Sequence, residues 1–137
     1  EYLRIHRDVE VEKILLLAPA LNQSELHRYW HLKENGRCSS WNEFQQIFNE
    51  EEFQHYLKTT PVDGHRSARS HRISYRFIRE CSATNFCFTL KEFDPKVFLI
   101  AADRDPVVPL ESIKDNFSHR LIVSSDDHDL ERPEILD

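Results

Sequence analysis

Methionine is missing from the chain of 137 residues, and glycine occurs only twice, at Gly36 and Gly64. At ordinary usage of ~7%, roughly nine or ten glycines are expected. Sharp βα turns rely on glycine for backbone conformations that other residues resist. The shortage leaves two expectations: the glycine-rich half of an α/β enzyme lies outside this chain, or the chain has diverged away from catalysis. With no methionine there is no initiator residue. No Cys-x-x-Cys pair occurs, and Cys38, Cys81 and Cys87 are an odd number without a framework. That predicts reduced thiols in a cytoplasmic protein. No apolar run approaches the length of a membrane span, since the longest, Ile14 to Leu21, is of strand length. No signal peptide opens the chain, so no membrane role is expected. Basic charge is not in excess either. Eighteen Lys and Arg stand against 24 Asp and Glu, for a net charge of −6, which argues against nucleic acid as a partner.

What is present suits one domain or a piece of one. Hydrophobic residues make up 39% and charged residues 31%, enough for a thin core. Glu1 to Arg7 reads as the tail of a helix, and Ile14 to Ala20, stopped by Pro19, as a parallel strand buried on both faces. Such a strand needs neighbours on both sides, and this chain offers too few. Ser24 is a possible cap for a helix through Leu32. Ser40, with Glu43 three residues on, has the pattern of a capping box. Trp41, Phe44, Ile47, Phe48, Phe53, Tyr56 and Leu57 recur at helical spacing, with the acidic stretch at Asn49 to Glu52 as a possible interruption. Thr59 to Ser70 reads as a loop and Ile73 to Cys81 as a helix, followed by a connection to Pro95. A strand Lys96 to Ala102, a helix Leu110 to Phe117 and a strand Arg120 to Ser124 follow. Glu131 to Asp137 begins another helix.

Two of these strands run into turns that carry chemistry. After Lys96–Ala102 comes Asp103-Arg-Asp-Pro-Val-Val-Pro109, and after Arg120–Ser124 comes Asp127-His-Asp-Leu130. An acid and a base delivered in this order, each from a strand end, resemble the C-terminal part of an α/β-hydrolase close to the short bacterial esterases. The resemblance runs through nearly the whole chain. It implies a partial α/β-hydrolase fold of about three parallel strands with flanking helices and a helical cap insertion. Residues 1–21 and 91–137 then form the incomplete core, and 22–90 the cap. Asp105 corresponds to the orienting acid and His128 to the general base of a Ser-His-Asp triad, in the hydrolase order. No cofactor is implied. The substrate class is a small-molecule carboxylic ester or thioester.

Departures are as informative. No Gly-x-Ser-x-Gly occurs, so the nucleophile elbow and the oxyanion loop would precede Glu1. Family members usually carry a His-Gly-like pair where this chain has Ala101-Ala102. The expected partner is therefore the missing N-terminal half, or a second copy bound at an exposed sheet edge. The alternative is an inactive α/β-hydrolase-like binding module.

Competing readings attach to several residues. Asp103 is a rival acid that could instead cap its turn. Asp126, Asp127, His128 and Asp129 are too close in sequence for a closed metal site. His27 and His31 have the i, i+4 spacing of a ligand pair but no third ligand, and read as surface histidines. The basic run from His65 to Arg72 reads as a solvated cap loop rather than an anion site. Trp30, Trp41, Phe44 and Phe48 read as packing rather than as an acyl pocket. Ser24 lacks the small neighbours that a nucleophile needs.

Overall fold

The computed structural model describes residues 10–68, 71–91, 93, 96–117 and 120–130. The helical segments expected at Glu1–Arg7 and Glu131–Asp137 lie outside them. In chain order the elements are β1 (Ile14–Leu17), α1 (Gln23–Glu34), α2 (Trp41–Ile47), α3 (Glu50–Thr59), β2 (His65–Ala68), β3 (His71–Ser74), α4 (Tyr75–Cys81), α5 (Phe86–Lys91), β4 (Val97–Ala102), a 3-10 turn (Leu110–Ser112), α6 (Lys114–Phe117) and β5 (Leu121–Ser124). The chain divides into two compact units. Asn22–Thr84 forms one, and the residues up to Leu21 and from Asn85 form the other.

The discontinuous unit is built on a parallel sheet of order β1-β4-β5. Leu16 pairs with Leu99, and Ile100 with Ile122. Residues paired across a parallel ladder share a face, so the sheet has two distinct sides. Val97, Leu99 and Ala101 point into a core with Cys87 from α5 and with Ile113 and Phe117. α5 lies where the sequence predicts only a connection; its buried residue is Cys87. The other side carries Leu15, Leu17 and Ile122, which are 59%, 58% and 57% exposed. β1 is therefore not buried on both faces as its apolar run predicts. Its only neighbour among the described strands is β4, and its residues alternate between half-buried and exposed. The predicted Leu110–Phe117 helix is broken at Ile113 into the 3-10 turn and α6.

The unit Asn22–Thr84 is mainly helical and aromatic. α1 is capped by Asn22, whose side chain accepts from the Glu25 N–H, rather than by Ser24. It ends in paired bonds, Arg37 N–H to the Leu32 carbonyl and Gly36 N–H to the Lys33 carbonyl. Gly36 takes φ +68° to close them, the usual role of glycine just past a helix end. Ser40 caps α2 as expected, accepting from the Glu43 N–H at 3.2 Å. Glu43 closes back on the Ser39 N–H and hydroxyl. Asn49 caps α3, so the acidic stretch does interrupt the helix. Trp41, Phe44, Phe53 and Leu57 are buried, whereas Ile47 is exposed. Thr59–Ser70 is not simply a loop. β2 and β3 pair antiparallel, His65 with Ser74 and Arg66 with Ile73. Helix α4 starts only at Tyr75, with Ser74 capping the Phe77 N–H.

Candidate acid–base site

The register of β4 on β5 sets Ala102 beside Ser124, so both strands deliver their following turns at the same sheet end. In the first turn Asp105 precedes Pro106, an arrangement that favours a tight turn closed by the aspartate side chain. One carboxylate oxygen, Oδ1, accepts the N–H of Val107 at 2.7 Å and of Val108 at 2.8 Å. The other, Oδ2, lies 2.7 Å from Nδ1 of His128. The Asp105 side chain is 1% exposed and that of His128 39%. A buried carboxylate is tolerated when hydrogen bonds satisfy it, and here both oxygens are engaged.

The histidine turn has its own local scaffold. Asp126 accepts the Asp127 N–H, and Asp127 accepts the Asp129 N–H at 3.1 Å. Leu130 closes the turn at φ +50°, a left-handed conformation that non-glycine residues seldom adopt. Such strain persists where surrounding structure imposes it, often near functional groups.

Other residues singled out from the sequence are placed differently. Asp103 meets Ser125, whose hydroxyl donates to its Oδ2 at 3.2 Å, and Arg104, whose Nε lies 3.7 Å from its Oδ1. Ser24 lies in the first turn of α1, where its hydroxyl accepts from Arg28. His27 is not a surface residue. It is 3% exposed, with the edges of Trp30 and Phe77 against its ring. Neither of its nitrogens has a hydrogen-bond partner among the described residues. Burial, with Arg66 and Arg28 nearby, lowers its pKa to about 4. His31 is half-buried and stacked on Tyr56 at 4.2 Å. Trp41 and Phe44 pack on Tyr29 inside the helical unit. Arg66 in the basic run is bound to Glu34 at 2.7 Å.

Among the described residues no group of three or more His, Cys, Asp or Glu side chains is arranged to hold a metal ion. The three cysteines are free. No described helix is long and apolar enough to cross a membrane. Arg104 and Ser125, both near the acid–base pair, carry no local sequence signal. Only the pairing of the two turns brings them together.

No protein-family model and no curated protein matches the chain. Solved structures do. Est1E from Butyrivibrio proteoclasticus with ferulic acid bound matches with a TM-score of 0.57 at 16% identity, over 98% of this chain and 48% of that one. A second structure of Est1E gives 0.56 at 14% identity, over 98% and 49%. The chain thus spans about half the length of Est1E. The fold is a partial α/β-hydrolase fold.

Proposed function

We propose that the chain is the acid–base half of a serine hydrolase acting on a small-molecule carboxylic ester or thioester. Asp105 is the orienting acid and His128 the general base. The observation that carries this reading is the 2.7 Å contact from Asp105 Oδ2 to His128 Nδ1, made by a carboxylate whose other oxygen is already held by two backbone N–H groups. A carboxylate so fixed selects the imidazole tautomer with the proton on Nδ1. The lone pair of Nε2 is then available to take a proton from a nucleophile and return it to the leaving group. Est1E with ferulic acid bound supports a small organic substrate.

In this reading the nucleophilic serine and the oxyanion donors come from an N-terminal half. That half covers the exposed side of the sheet, where Leu15, Leu17 and Ile122 stand open, and pairs with the edge of β1 that no described strand covers. Residues 22–90 serve as the cap. The test is intact mass spectrometry of the encoded protein before and after a fluorophosphonate probe. We expect one adduct, on a serine outside these residues, lost in His128→Ala. An unmodified species at the 16.4 kDa chain mass would favour the second reading, an inactive hydrolase-like binding module. That reading draws on the two glycines and on Ala101-Ala102.

A further inference from the structure

Beyond the Asp105–His128 contact, the two turns are joined by a second set of side chains. Parallel pairing of β4 and β5 ends at Ala102 and Ser124. Two backbone bonds continue past it, Asp103 N–H to the Ser124 carbonyl at 2.9 Å and Arg104 N–H to the Asp126 carbonyl at 3.2 Å. Across this junction Arg104 donates from Nη2 to the Ser125 carbonyl at 2.6 Å. Ser125 returns its hydroxyl to Asp103 Oδ2 at 3.2 Å, and Asp103 Oδ1 lies 3.7 Å from Arg104 Nε. The three side chains link the acid turn to the histidine turn at two points.

We propose that Arg104 and Asp103 are positioning residues, which latch the histidine turn onto the acid turn through Ser125 and so keep His128 in register with Asp105. The inference rests on the acid–base reading of that pair. The chemistry fits the task. A guanidinium presents several donors in a fixed plane, so one end can hold a carbonyl while the other faces the Asp103 carboxylate. Without the latch, the histidine turn, strained at Leu130, φ +50°, is held to the acid turn only by the two backbone bonds and the Asp105 contact, and a small displacement is enough to weaken that contact. Arg104 and Asp103 are largely open to solvent, with side chains 58% and 40% exposed. Exposed pairs add little to global stability, so their removal should act on the turn rather than on the fold.

The test is long-range proton–nitrogen NMR of the full encoded protein labelled with 15N-histidine, at about pH 8, above the ordinary imidazole range. His128→Gln assigns the signal. The parent chain should show His128 with its proton on Nδ1. Arg104→Ala should lose that tautomer signature while the signals of His27 and His31 stay in place, and Arg104→Lys should restore much of it. Asp103→Ala should give a smaller loss. An unchanged His128 signature in both Arg104→Ala and Asp103→Ala would overturn the latch. So would a general collapse of all histidine signals that lysine does not rescue. A parent chain without the Nδ1–H tautomer would instead overturn the acid–base pair itself, and the latch with it.

Discussion

Asp105 and His27 are both buried titratable side chains, one in each unit, and their surroundings treat them oppositely. Asp105 has two backbone N–H groups on one oxygen and His128 on the other. His27 has aromatic edges against its ring and no hydrogen-bond partner on either nitrogen among the described residues. The first environment is organised around a charge, and the second excludes one. Burial alone therefore does not mark a functional group. What separates them is whether polar partners converge. The same contrast runs through the rest of each unit. The helical unit buries Tyr29, Trp41, Phe44 and Phe53 and leaves Ile47, Val62 and Phe77 exposed at its surface, whereas the sheet unit leaves Leu15, Leu17 and Ile122 exposed on the strands themselves, beside the turns that carry Asp105 and His128.

The largest expected effect would break the comparison at Asp105. If the proposed reading holds, Asp105→Asn in the full encoded protein retains an acceptor for Val107 and Val108 but offers His128 the wrong group. Turnover should fall by roughly 10⁴-fold, the loss seen for the same change in a known triad. A change under tenfold at unaltered protein stability would remove Asp105 from the acid role.

Next comes His27. Folding lowers its pKa from 6.5 to about 4, so the unfolded chain takes up a proton that the folded one refuses. Its contribution is complete above about pH 6.5 and declines as pH falls toward 4, by about 3 kcal/mol in all. Denaturant unfolding between these pH values should show that slope, and His27→Leu should flatten it. A slope unchanged by the substitution would mean that the imidazole is solvated or paired. Glu50 and Glu52, held low by Arg28 and Arg37 respectively, add acid sensitivity of their own in both proteins.

Two smaller changes sharpen the separation of the units. Gly36→Ala forces a side chain into φ +68°, at a cost of about 1 kcal/mol. Ser40→Ala removes the cap of α2 and should cost about 1 kcal/mol or slightly less. Both can be read from thermal unfolding. Both should leave the His128 NMR signals unmoved, and a shift there would show that the helical unit and the acid–base turns respond to each other.

Much of this molecule is legible in local sequence. Ser40 and Glu43 mark a helix start because the cap is made within one turn. Asp105 before Pro106 marks a tight turn because the carboxylate reaches amides only two and three residues ahead. The β4 and β5 strands declare themselves by apolar runs bounded by polar turns. These signals survive without knowledge of any distant residue.

The antiparallel pairing of β2 with β3 was not legible, since a polar, basic stretch becomes a strand only when a partner strand supplies its hydrogen bonds. The burial of His27 was not legible either. Helical spacing gives a face, and only packing decides which face is covered. By itself the sequence determined where Asp105 and His128 would stand, each just past a strand, because strand and turn propensities act over a few residues. The Val-Val-Pro pattern already favoured Asp105 over Asp103, but only tertiary structure brings it to His128, twenty-three residues away. That contact depends on the register of two parallel strands, which no local pattern encodes.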